Sequence, residues 1–201
     1  MIDRRLHPLI ARALGPVGAA LAARGVRADH VTLVGFAVGL AGVAAVAAGA
    51  FGLGLGLILA NRLADGLDGA VARAAGPTDR GAFLDVALDF FFYAAVPFGF
   101  AVADPAANAL PAAALILAFV GTGSSFLAFA SVAAKRGLSA EAYPTKGVFY
   151  LGGLTEGFET IAVFVAMCLW PQGFPLLAWS FAALCLLTTL TRWFAGWRTF
   201  G

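Results

Sequence analysis

Six apolar blocks, each long enough to cross a lipid bilayer, follow one another along this chain with only short breaks between them. They occupy residues 30–48, 52–75, 81–103, 108–134, 147–169 and 173–196. Crossing the hydrocarbon takes roughly 20 residues of helix. In lipid every backbone N–H and C=O has to be satisfied within its own segment, so such blocks are helices. The breaks carry Pro105, Pro144, Pro171 and Gly173. Only 12% of the residues are charged, against about a quarter in soluble domains. The expected fold class is therefore all-α: an integral membrane bundle of six transmembrane helices preceded by an N-terminal amphipathic juxtamembrane helix. Residues 1–201 form one domain, with 1–29 on the cytoplasmic side and 30–197 holding the six helices.

Charge placement orients the bundle. Six spans define three breaks on one side, at 49–51, 104–107 and 171–172, and none contains Lys or Arg. The basic residues fall on the other side. Arg4, Arg5, Arg12, Arg24 and Arg27 precede the first span, Arg73 and Arg80 flank the second break, Lys135, Arg136 and Lys146 flank the fourth, and Arg192 and Arg198 close the chain. The excess of Lys and Arg marks the cytoplasmic face, so both termini are expected there, in a bacterial inner membrane. Arg62 alone lies deep within a span, away from its ends.

Leu6, Ile10, Leu14, Val17 and Leu21 recur at helical spacing, with Arg5, Arg12 and Arg24 off that stripe. This is the pattern of a basic amphipathic helix on the inner leaflet, not of a cleavable signal peptide. Asp29 is expected to cap the first span. Cys168 and Cys185 have no metal-ligand spacing and read as small buried apolar residues; His7 and His30 are assigned no catalytic role. Gly52, Gly54 and Gly56 alternate within a span and are expected to let helices pack closely. Phe90, Phe91, Phe92 and Tyr93 are expected on a lipid-facing or dimer-packing surface.

Four aspartates stand out from this apolar background. Asp65 and Asp68 lie near the end of the second block at i, i+3, and Asp85 and Asp89 open the third at i, i+4. Each pair shares one face of its helix. An acid at membrane depth costs several kcal/mol unless it is paired, wet or bound to a cation, and four converging on one hairpin repel each other. One or two divalent ions relieve that repulsion, and an all-carboxylate donor set suits Mg²⁺ or Mn²⁺. Asp65, Asp68, Gly69, Ala72 and Arg73 follow helical steps of three, one, three and one, so they share a face. Gly69 and Ala72 leave room there for a ligand, and Arg73 offers a planar fork that suits phosphate. Two metals would clamp a diphosphate and offset charge on its leaving group. Asn61, one turn before Asp65, lies on the same face, as a neighbour of the site or a plain helix contact.

The run DGLDGAVARAAGPTDRGAFLDVALD, residues 65–89, resembles the signature of the CDP-alcohol phosphatidyltransferase family, D-x2-D-G-x2-A-R-x8-G-x3-D-x3-D. Asp65, Asp68, Gly69, Ala72, Arg73, Gly81, Asp85 and Asp89 stand at its fixed positions, with seven residues between Arg73 and Gly81, one fewer than the pattern. The segment 28–32 resembles the family's usual entry into its first span. The resemblance implies that Asp65, Asp68 and Asp85 ligate two metal ions. Asp89 would both help hold one ion and act as general base on the acceptor hydroxyl. It implies that Asp65, Gly69, Ala72, Arg73 and Thr78 line the CDP pocket. The donor would be CDP-diacylglycerol, the acceptor a polar alcohol, the product CMP, and the assembly a homodimer in membrane lipid, with no nucleic-acid partner.

A second polar group, Glu156 and Glu159 with Thr155 and Thr160, falls inside the fifth block. It reads either as part of an acceptor pocket, together with Lys135, Lys146 and Arg192, or as a structural pair with Arg192 or Lys146. The basic members equally suit anionic headgroups or simple anchoring. Two other functions fit less closely: the same fold using a soluble CDP-alcohol donor and a lipid acceptor, and a cation- or proton-coupled transporter. A transporter more often places its acids at the bilayer midplane, at an interface between repeats. Here they cluster toward one end, and no internal repeat is evident.

Overall fold

The computed structural model describes residues 3–137 and 155–201, with side chains from residue 10 onward. Among these residues there are seven α-helices: α1 (Asp3–Ala23), α2 (Ala28–Ala47), α3 (Phe51–Ala75), α4 (Asp79–Ala103), α5 (Pro105–Lys135), α6 (Gly157–Leu169) and α7 (Phe174–Phe200). One 3₁₀ turn, Pro171–Gly173, leads into α7. Four helical segments are long and apolar enough to cross a membrane: α2, α4, α5 and the run Pro171–Phe200. At 25 residues α3 is long enough, but Arg62, Asp65, Asp68 and Arg73 break its apolar character. As described, α6 has 13 residues, and part of the block expected to begin at 147 lies outside the described residues. Among the described residues the structure is all-helical and its apolar helices are those of a membrane protein, with four of the six expected spans matched on length and apolarity.

The exterior agrees with a lipid environment. Leu53, Leu63, Phe83, Phe91, Leu117 and Trp197 all point outward, an arrangement a water-soluble monomer avoids over so large an area. The interior is a column of aromatic rings. Phe51 stacks on Phe100, and Phe100 on Phe174, with centroids 5.6 and 4.6 Å apart. Phe119 meets Phe164 and Phe181 edge-on. Phe92 is fully buried, and Tyr93 packs against Phe92, Phe119 and Phe164. Of the run 90–93, therefore, Phe91 is the residue on the outer surface. Tyr93 belongs to the core because α4 turns it toward α5 and α6, and Phe92 because it faces Gly39 of α2 and Arg62 of α3.

Helix α2 packs closely against both α3 and α4, whereas α3 and α4 barely touch each other. Glycines allow the α2–α3 approach: a Cβ on Gly35 would lie 2.6 Å from the Ala64 Cβ, and one on Gly54 only 2.5 Å from Val46 Cγ2. Gly52 and Gly56 face open space, so of the three alternating glycines it is Gly54 that serves helix packing. Helix α1 lies against α3: a Cβ on Gly66 would lie 2.9 Å from Leu14 Cδ1, and one on Gly18 would meet Ala70 at 2.6 Å. The amphipathic N-terminal helix thus braces the helix that carries the first aspartate pair.

Candidate functional site

The site begins with a three-residue turn. Helix α3 ends at Gly76, whose φ of +98° is reached without strain by glycine. Thr78 then caps α4, accepting a hydrogen bond from the Gly81 N–H at 3.0 Å. Residues 76–78 therefore reverse the chain, and the C-terminal face of α3 looks across a gap at the first turns of α4. Asp29 reinforces this corner. The expectation that it caps α2 does not hold; α2 starts two residues earlier, at Ala28, with Arg27 at the N-cap. From the first turn of α2, Asp29 pairs instead with Arg27 at 3.3 Å and with Arg80 of α4. Its carboxylate ties the two helix starts together.

Within the gap Asp65, Asp68 and Asp85 converge. One carboxylate oxygen from each lies within 4.8 Å of the other two. A small cavity of about 20 Å³, lined by Asp65, Asp85 and Asp89 together with Thr32, Asn61 and Arg62, adjoins them. That is room for about one water-sized occupant. Three hard oxygen donors at this spacing, partly withdrawn from solvent, fit a divalent cation. Asp68 is buried and accepts a 2.6 Å hydrogen bond from the Thr32 hydroxyl of α2, which fixes the carboxylate's rotation. Thr32→Val is expected to weaken Mn²⁺ binding roughly tenfold, as losses of groups that orient metal ligands commonly do; a Mn²⁺ titration followed by electron paramagnetic resonance would measure it.

Asp89 is placed differently. Its Oδ1 lies 2.8 Å from Arg62 Nη1, while the same nitrogen is 4.0 Å from Asp65 Oδ2. The structure thus brings three of the four aspartates into one potential ligand set, and holds the fourth beside it on an arginine. Gly69 and Arg73 sit together: a Cβ on Gly69 would come within 3.2 Å of Arg73 Nη1. The exposed guanidinium therefore lies over the space that glycine leaves. Thr78 spends its side-chain acceptor on the α4 cap.

The second polar group lies at the start of α6 and against α7. Glu156 and Glu159 form a reciprocal capping box at the start of α6, with the Glu156 N–H donating to Glu159 Oε2 at 3.2 Å. Thr155 and Thr188 share a 3.1 Å hydrogen bond. Buried Arg192 donates to the Thr122 carbonyl at 3.1 Å and ties α7 to α5, and Lys135 is exposed at the end of α5. None of these residues lines the cavity beside the aspartates. Lys146 lies outside the described residues.

Arg62 and Thr32 join the site beyond the residues of the signature. In the sequence, the mark of Arg62 is an arginine deep within a span, three residues before Asp65, and that of Thr32 is only a hydroxyl one turn into the preceding span.

This arrangement can be set beside known proteins. The family model for CDP-alcohol phosphatidyltransferase matches residues 26–197. The chain belongs to that family. It is 52% identical over 199 residues, 99% of this chain and 97% of its relative, to the inner membrane protein YnjF of Escherichia coli. It is 41% identical over 86 residues to archaetidylinositol phosphate synthase of Methanothermobacter thermautotrophicus, covering 42% of this chain and 43% of that one. Among solved structures it is similar to phosphatidylinositol phosphate synthase of Mycobacterium tuberculosis with CDP-DAG bound. There the TM-score is 0.67 at 25% identity, over 92% of this chain and 94% of that one. The same enzyme in complex with manganese and citrate superposes with a TM-score of 0.71 at 24% identity, over 92% and 88% of the two chains, and shows the shared fold.

Proposed function

We propose that this protein transfers a phosphatidyl group from CDP-diacylglycerol to the hydroxyl of a polar alcohol and releases CMP. The observation that carries the reading is the convergence of Asp65, Asp68 and Asp85 within 4.8 Å across the α3–α4 gap, in a chain of this family. The M. tuberculosis structure with CDP-DAG bound supports the choice of donor. The 201 residues act as one domain with six membrane crossings, both termini and the site facing the cytoplasm of a bacterial inner membrane. Two copies associate as a homodimer.

Asp65, Asp68 and Asp85 would hold Mg²⁺ or Mn²⁺, two ions at full occupancy, with Asp89 reaching one of them. Ions there supply charge neutralisation for the diphosphate and for the departing phosphate oxygen. Gly69 and Ala72 leave a flat helix face against which the CDP moiety lies, with Asp65 and Thr78 at its edges. Arg73, folded over Gly69, offers its fork to phosphate oxygens. Asp89 takes the proton of the acceptor hydroxyl. The freed oxygen bonds to the β-phosphorus, the bond from that phosphorus to the bridging oxygen breaks, and CMP leaves with the electron pair.

The experiment that tests this reading is CMP release by the purified protein in lipid, with CDP-diacylglycerol and a panel of alcohols, among them glycerol phosphate, inositol phosphate and serine. One alcohol that supports release identifies the acceptor. No release with any alcohol, but release from a soluble CDP-alcohol given a lipid acceptor, would replace this donor with the reverse pairing.

A further inference from the structure

Arg62 lies outside the eight-position signature, yet it makes more directed polar contacts than any aspartate it serves. Its Nη1 is 2.8 Å from Asp89 Oδ1 and 3.3 Å from the Tyr93 hydroxyl. Its Nε and Nη2 both donate to Asn61 Oδ1, at 2.8 and 2.6 Å. The guanidinium also lies over the Phe92 ring at 4.8 Å and the Tyr93 ring at 5.3 Å. The charged fork is thus fixed from two edges and one face, at the gap where α3 and α4 barely meet.

The fixing extends one helix further. Buried Asn61 donates from Nδ2 to the Gly35 carbonyl of α2 at 2.8 Å. A carbonyl can only accept, so this bond turns Oδ1 toward Arg62 without ambiguity. The geometry depends on glycines: a Cβ on Gly35 would strike Ala64, and one on Gly39 would come within 2.9 Å of the Asn61 amide and 2.8 Å of the Phe92 ring. The α2 backbone therefore sets Asn61, Asn61 sets Arg62, and Arg62 sets Asp89.

We propose that Arg62 is a positioning residue that aims the Asp89 carboxylate at the acceptor hydroxyl, with Asn61 as its anchor to the α2 backbone. The inference rests on the phosphotransferase reading, in which Asp89 is the general base. Arg62 supplies direction as well as charge. A lysine would keep the charge but has one compact ammonium on a flexible stem. It cannot hold Asp89, Asn61 and Tyr93 in one plane.

The test uses wild-type protein, Arg62→Gln, Arg62→Lys and Asn61→Ala in lipid, assayed for CMP release with CDP-diacylglycerol, Mn²⁺ and the productive alcohol. Mn²⁺ affinity is read separately by electron paramagnetic resonance, and folding by thermal unfolding. In both Arg62 variants kcat is expected to fall roughly 10- to 100-fold, the scale of a misplaced catalytic group. Donor KM and Mn²⁺ affinity should stay within about threefold of wild type, the signature of a contact used in the transition state. Asn61→Ala should show the same split with a smaller fall, and it carries the test if the Arg62 variants do not fold. Full turnover in Arg62→Lys would mean that charge alone suffices and would overturn the proposal. So would loss of Mn²⁺ or donor binding in step with kcat, or Asn61→Ala turnover equal to wild type. A wild-type protein that releases CMP neither from CDP-diacylglycerol with any alcohol nor from a soluble CDP-alcohol would sink the phosphotransferase reading itself, and this proposal with it.

Discussion

Replacing Asp89 by Asn is expected to lower kcat for CMP release by about 10²- to 10⁴-fold, the usual contribution of a positioned general base. Donor binding should change little, and Mn²⁺ affinity should fall less than on loss of Asp65, Asp68 or Asp85. The asymmetry follows from placement. Asp65, Asp68 and Asp85 form the converging set, while Asp89 is held to one side by Arg62 at 2.8 Å. An asparagine oxygen can still accept from that guanidinium, so the scaffold stays intact and only the ability to take a proton is lost. Paired measurements of turnover and of CDP-diacylglycerol binding check this. Equal losses in both would leave Asp89 as a ligand only and remove it as the base.

Asp68→Asn is expected to act on the metal. Asp68 is buried, and Thr32 can donate to an amide oxygen as it does to the carboxylate. The variant should therefore fold, and with one repelling charge fewer it should be at least as stable as wild type when no metal is present. What it should lose is the gain on adding metal. Wild-type protein at a Mn²⁺ concentration of 100 Kd should gain about 2.7 kcal/mol of unfolding free energy. The variant should gain almost none and release CMP at least ~10³-fold more slowly, since removing a metal's transition-state charge stabilisation costs several kcal/mol. Thermal unfolding in detergent, with and without Mn²⁺, checks the first part, and the CMP assay the second.

The sequence carried the helical bundle and the aspartate spacing for one physical reason: both are written in periodicity. Blocks of about 20 apolar residues specify helices in lipid, and steps of three and four place Asp65 with Asp68, and Asp85 with Asp89, on shared faces. What sets Asp89 apart from the other three is not periodic. Asp85, one turn earlier on α4, joins Asp65 and Asp68, whereas Asp89 is held by Arg62, itself fixed through Asn61 to the Gly35 carbonyl of α2. Residue types read locally were misleading for the same reason. Phe92 and Tyr93 look like lipid-facing aromatics until the rotation of α4 is known. Glu156 and Glu159 read from sequence as pocket acids or as a structural pair with a basic residue, and their reciprocal cap at the start of α6 is visible only in the structure. Asp29 carries the residue type of an N-cap, yet its partner Arg80 lies across the bundle corner.

The measurement that bears most directly on the central claim is CMP release from CDP-diacylglycerol as metal is removed and returned. Wild-type protein in lipid, with its productive alcohol, would be titrated with chelator and then with Mg²⁺ or Mn²⁺, while bound Mn²⁺ is counted in parallel. The account predicts that release falls to background on chelation, returns with either ion, and tracks occupancy of the Asp65–Asp68–Asp85 cluster. Release that survives full removal of metal, or protein with the cluster filled that never releases CMP, would contradict it.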